Sequence, residues 1–296
     1  MAGLSQSAFL ADVDAHDRDT ARLAITLAGG VTLGYVAATL VDLALGGLPR
    51  TLQDLLFDTM ANGMFWLSFV ALAAVIAHHR LRAYLSSADH IRWRLLALGM
   101  GMALVALLPV VIADVLTSSM GRTLDTVWAS IAPNGVLIAI ASTLLLIPAA
   151  AAEELFFRGW LLRQTAAFTR RPLFLIFLTA IVFSVLHRDF SPDGFIMRVV
   201  MGAGFAYMTL RLGGIEFSSG AHAANNILVF LVVEPLTFGS TSDGVLSLVD
   251  LASDAAMGAG YILITEIVAR TPSLAHWARV QPQEISRTPR RTPSFS

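Results

Sequence analysis

Long apolar stretches, separated by short polar or arginine-bearing segments, dominate this chain from residue 23 to residue 270. A bilayer core about 30 Å thick is crossed by roughly 20 apolar helical residues. That length test predicts eight helices: Leu23–Leu45, Ala61–Ala77, Leu95–Ala113, Val136–Leu162, Leu173–His187, Phe195–Leu212, Ile215–Val233 and Ala255–Ala269. The fourth is overlong. Splitting Val127–Thr169 at Pro148 would move Arg170 and Arg171 to the wrong side or force another flip, so one long, tilted or kinked helix is expected. The expected fold class is all-α, a polytopic helical membrane protein with about eight transmembrane helices over residues 23–270. Residues 1–22 carry Asp12, Asp14, Asp17 and Asp19 and lack the basic, apolar, small-residue order of a cleaved signal, which predicts a retained cytoplasmic segment. Residues 271–296, rich in Pro, Ser and Arg, predict a disordered cytoplasmic tail touching the membrane surface at Trp277.

Composition sharpens this picture. Of 296 residues, 56% are hydrophobic and only 14% charged, against about 25% charged in soluble domains, which excludes an ordinary water-soluble enzyme. A net charge of -1 provides no global basic field, so nucleic acid is not an expected partner. Cysteine and lysine are both absent, which removes thiol nucleophiles, thiolate zinc sites and Schiff-base chemistry. Whatever chemistry exists must come from carboxylates, imidazoles, hydroxyls and amides. With eight spans, fifteen arginines fall on one side and only Arg50, Arg122 and Arg188 on the other, with Arg158 and Arg198 inside spans. Positive charge collects on the cytoplasmic side, so both termini are expected there; the abundance of Ala, Leu and Arg with no Lys suggests a bacterial chain, and hence a bacterial inner membrane. The glycines Gly30, Gly34, Gly202 and Gly204 are expected to serve close helix packing.

Ionisable groups in hydrocarbon are costly unless they are paired or face a cavity. Three polar clusters stand out here: Glu153, Glu154 and Arg158; Phe183 through His187; and His222 through Asn226. Glu154 and Arg158 are four residues apart and meet on one helix face as an ion pair. Glu153 is turned about 100° away, free to face a cavity. His222 and Asn226 share a face in the same way, and both can donate hydrogen bonds. Asn225 points elsewhere, towards a neighbouring helix. Phe183, one turn before His187, would cover its ring. Glu153 lies seventeen residues before Arg170 and His187 sixteen after Arg171, so both are about 24–26 Å from the same arginine-rich turn and nearly level in an antiparallel pair.

The order Glu153-Glu154-x-x-x-Arg158, Phe183-x-x-x-His187, His222-x-x-x-Asn226 on an eight-helix core resembles the intramembrane glutamic proteases of the CaaX protease and bacteriocin-processing family, which includes type II CaaX prenyl endopeptidases and abortive-infection membrane proteins. The resemblance covers roughly residues 140–235. It implies that Glu153 with His187 activates a water, that His222 with Asn226 stabilises the oxyanion, and that Glu154, Arg158 and Phe183 support them. It implies no cofactor and a membrane-associated, CaaX-type or leader peptide as substrate. Zinc on Glu153, His187 and His222 is a competing arrangement, though no His-Glu-x-x-His string is present. A non-enzymatic scaffold or immunity protein, or a proton-coupled carrier, is the alternative from another class.

Overall fold

The computed structural model describes residues 4–47, 53, 56–117, 135–233 and 246–280. Arg50, Arg122 and the tail arginines Arg287, Arg290 and Arg291, all used in the charge count, lie outside the described residues. No strand forms among the described residues, and the chain is a polytopic helical membrane protein. Its helices are α1 (Thr20–Leu45), α2 (Asn62–Ala77), α3 (Trp93–Thr117), α4 (Gly135–Glu154), α5 (Leu162–Phe168), α6 (Pro172–Leu186), α7 (Pro192–Leu212), α8 (Glu216–Leu228), α9 (Leu248–Arg270) and α10 (Pro272–Trp277). A π-helical stretch, Leu155–Leu161, joins α4 to α5 without a break, so Ile140–Phe168 is one long helix, as the charge argument required. Two further π turns, Phe57–Ala61 and Val229–Val233, precede α2 and follow α8.

Each of the eight predicted stretches is helical, but they are not equivalent. Among the described residues six helices are long and apolar enough to cross a membrane, and α6 is a shorter apolar helix. The stretch predicted from Ile215 differs. Its helix α8 is buried along nearly its whole length, including Glu216, Ser218, Ser219 and His222. It packs on α3, α4 and α7. Its polar side chains need protein partners, which lipid does not supply. The outer helices show the reverse pattern: Tyr35 and Leu43 of α1 are 64% and 72% exposed, which is the face that lipid covers.

The arm before α1 is part of the core. Phe9 and Leu10 are fully buried. Arg163 donates to Phe9 O at 2.6 Å and to Asp12 at 2.7 Å, Arg170 donates to Leu10 O and Val13 O, and Ser7 Oγ donates to Leu210 O. At the same end, Arg94 lies over the Trp277 ring and Arg279 meets His90. The segment read as a disordered tail therefore begins differently: α10 is helical and Ala278 is fully buried. Its apolar side chains, Leu274 and Val280 among them, pack on the core and outweigh the polar composition. Residues 281–296 lie outside the described ones.

Arg92, counted above as a loop charge, is buried and forms a two-pronged pair with Glu216 at 2.8 and 2.6 Å, while its third nitrogen donates to Leu212 O. Beside it the 85–87 loop pairs with the α7–α8 turn, Ser87 N donating to Gly213 O and Ile215 N to Leu85 O, both at 2.9 Å. Gly213 turns the chain with φ of 74°, in the left-handed region where a side chain is strained. The root of α8 is thus bolted to the α2–α3 loop.

Glycine packing is tighter than the sequence indicated. A Cβ at Gly30 or Gly34 would strike Phe69 or Phe65, and one at Gly202 or Gly204 would strike Ala180 or Tyr261. The closest approach was not predicted: Gly99 of α3 lies against the Phe217 carbonyl, and Gly220 of α8 against the Leu96 carbonyl. The two backbones touch because neither crossing point carries a side chain. Gly220→Val is therefore expected to lower stability by at least about 1–3 kcal/mol, read as a drop in the thermal midpoint of the detergent-purified protein. An unchanged midpoint would mean that α3 and α8 do not cross at this point.

Candidate active site

Two helices and a helix end converge at one place inside the bundle. Glu153 and Glu154 close α4, just before its π-helical continuation. Such a turn widens the helix locally and is frequent at functional sites. His187 caps α6, and the following Arg188, with φ of 60°, turns the chain away. His222 lies at the middle of α8, two residues beyond the Gly220 crossing. Glu153 Oε2 is 4.0 Å from His187 Nε2 and 3.7 Å from His222 Nε2. The level placement expected from the distance to the arginine turn is accompanied by lateral proximity.

Each imidazole has its outer nitrogen committed. His187 Nδ1 lies 2.7 Å from Phe183 O. A carbonyl only accepts, so Nδ1 carries the hydrogen and Nε2 of the neutral ring presents a lone pair to Glu153. The Phe183 ring covers His187 with centroids 4.4 Å apart, as its spacing predicted. His222 Nδ1 lies 3.0 Å from Glu154 Oε1, so that nitrogen also carries a hydrogen. Phe205 stacks on the His222 ring at 4.9 Å and 28°. Both rings are thereby fixed in position and orientation.

Glu154 and Arg158 are both fully buried and form the expected pair, 2.7 Å from Nη1 to Oε1. Arg158 Nη2 donates to Gly202 O at 3.0 Å, and its guanidinium lies 4.6 Å from the Phe183 ring and 5.2 Å from the Phe205 ring. One arginine thus ties α4 to α7 and to both rings that fix the histidines. Asn225 bridges helices as expected, accepting from Tyr261 Oη of α9 at 3.4 Å. Asn226 lies one turn beyond His222 on α8 and is half-buried.

Sequence reading missed Asn62. This first residue of α2 donates from Nδ2 to Glu153 Oε1 at 2.6 Å. Its signal was present, an amide inside the apolar stretch Ala61–Ala77, but nothing in the spacing connected it to Glu153, 91 residues away. Glu153 Oε2, by contrast, is buried with no hydrogen-bond partner. Below His187, outside the helices, Asp189 accepts from Ser191 and from Arg198, and these bonds hold its carboxyl well below the usual carboxylate range. It orders the turn that carries His187. Among the described residues no group of three or more His, Asp or Glu is arranged to hold a metal ion.

Two comparisons with known proteins give a match. An uncharacterized protein of Bacillus subtilis strain 168, YyaK, is 38% identical over 102 residues, covering 32% of this chain and 34% of the relative. The chain thus spans about a third of the length of the curated relative it matches. No solved structure matches it significantly. A family model does match, and its limits, 133–228, enclose Glu153, Glu154, Arg158, Phe183, His187, His222 and Asn226. The segment that builds all of the site except Asn62 is therefore Rce1-like, a match to the family of type II CAAX prenyl endopeptidases.

Proposed function

We propose that this chain is an intramembrane endopeptidase that hydrolyses a peptide bond with a water activated by Glu153 and His187. The observation that carries the reading is the orphaned Glu153 Oε2, buried between two imidazole nitrogens at 3.7 and 4.0 Å. Those separations exceed hydrogen-bond length and suit one bridging water, which would donate to Glu153 Oε2 and to the lone pair of His187 Nε2. Its oxygen is left free to attack a carbonyl carbon. In this reaction the water oxygen bonds to the carbonyl carbon while Glu153 takes the proton. The tetrahedral oxyanion is stabilised by His222 and Asn226, and the C–N bond then breaks as the proton passes to the leaving amine. Products are a carboxylic acid and an amine. A carboxylate shielded from bulk water serves well as a general base, and a preorganised oxyanion donor is worth about 2.7–4 kcal/mol.

His222 fits the donor role when both ring nitrogens carry hydrogens. Glu154 accepts from Nδ1, and Nε2 then points a hydrogen into the site. The proposed substrate is a membrane-associated peptide, of CaaX type or a leader peptide, and the proposed setting is a bacterial inner membrane with both termini cytoplasmic. With the arginine-rich turn on the cytoplasmic side, Glu153 lies nearer the outer face, which favours a membrane or exported peptide over a prenylated cytosolic one. The proposed reaction uses no metal.

The experiment is cleavage by detergent-purified protein of a prenylated CaaX peptide and a leader-peptide library, each with and without a metal chelator, beside His222→Ala. Chelator-indifferent cleavage that falls at least about 100-fold in His222→Ala is the expected result, since an oxyanion donor contributes about that much. Chelator sensitivity would replace this reading with zinc chemistry.

A further inference from the structure

Asn62 lies on α2, outside the family match at 133–228, yet it makes the shortest bond to the central carboxylate. Three features place it there. The π turn Phe57–Ala61 ends immediately before it. The run Ala149–Ala152 gives α4 a shallow face, and Gly63 sits against it, with a Cβ at that position only 3.8 Å from Ala149 Cα and 3.9 Å from Ala152 Cβ. The helices come close enough for a short amide to span from one to the other. Trp66, one turn on, then packs on Phe156 and Phe157 at 4.3 and 5.3 Å and fixes the rotation of α2.

The bond divides the two carboxylate oxygens. Oε1 is taken by Asn62 Nδ2 at 2.6 Å, while Oε2 has no partner and faces His187 and His222. A carboxylate on a flexible side chain presents either oxygen. With one oxygen held from a separate helix, only the other can meet a water between the imidazoles. We propose that Asn62 is a positioning residue of the reaction, holding Glu153 in the orientation that aims Oε2 at the bridging water. This rests on the peptidase reading.

The test uses the full chain in detergent. Asn62→Ala is expected to lower kcat about 10- to 100-fold with KM unchanged, the scale on which misplaced catalytic groups cost rate. Asn62→Asp keeps the shape but removes the donor and sets two carboxylates against each other, and is expected to lose at least as much. Infrared difference spectra provide a readout that needs no turnover. Wild type minus Glu153→Gln isolates the Glu153 carboxyl band, and the same subtraction in an Asn62→Ala background is expected to show that band displaced. An unmoved band, or an Asn62→Asp variant with wild-type kcat, overturns the assignment. A displaced band in a protein that cleaves no peptide upholds the contact and overturns the peptidase reading on which its catalytic role depends.

Discussion

Glu153→Gln is expected to abolish cleavage while leaving the fold intact. The substitution keeps the side chain's length and keeps Oε1 as an acceptor for Asn62 Nδ2. What it replaces is Oε2, the one buried oxygen of that group without a partner. An amide nitrogen there donates and cannot accept a proton from water. General-base catalysis contributes about 10²–10⁴-fold, so turnover should fall by about 10³-fold or more. The thermal midpoint should stay near that of wild type, because Glu153 makes none of the bonds that tie α4 to α7. Single-turnover cleavage and a thermal melt on the same sample check both halves. If the variant instead keeps the protein's effect in cells, the cluster is structural and the chain is a scaffold or immunity protein. If transport of protons is lost without any cleavage in wild type, the buried groups are a carrier's relay.

The largest loss of stability is expected from Arg158→Met. Arg158 is fully buried, pairs with Glu154, donates to Gly202 O and lies over two aromatic rings. Removing it leaves Glu154 buried without its balancing guanidinium. Breaking one side of a buried pair costs about 3–5 kcal/mol, a large fraction of the stability of a domain. The double variant Arg158→Met with Glu154→Gln removes both charges and should recover much of the loss, since an apolar replacement of a whole buried pair is often neutral. Thermal melts of the four proteins in the cycle measure this coupling. Equal midpoints for the single and double variants would mean that Arg158 acts through its stacking on Phe183 and Phe205 and not through its charge.

The site residues differ in how far local spacing revealed them. Glu153, Glu154, Arg158, His187, His222 and Asn226 stood out because each is a polar residue in an apolar stretch, where lipid cannot satisfy it. Spacings of four residues then paired Glu154 with Arg158 and Phe183 with His187, and the structure forms both contacts. Such pairs follow from 3.6 residues per turn and need no knowledge of neighbouring helices. Asn62 and Glu153, or Arg92 and Glu216, have no such relation. They lie 91 and 124 positions apart, and only the docking of separate helices brings them together. The bond from His222 to Glu154 was hidden for the same reason, and so was its consequence for which ring nitrogen faces the site.

By itself, the sequence determined the helical class, the eight apolar stretches, the continuity of the long fourth helix and the polar residues that burial makes expensive. Each depends on hydrophobicity and helical period, which are properties of neighbours along the chain. Tertiary structure alone decided that α8 is enclosed by protein, that the α3–α8 crossing is glycine on glycine-bearing backbone, and that Asn62 takes one oxygen of Glu153 and leaves the other for the histidines. Those outcomes depend on which helix faces lie against each other. In a membrane, where lipid is as apolar as the helix surfaces, close packing and interhelical hydrogen bonds settle that choice.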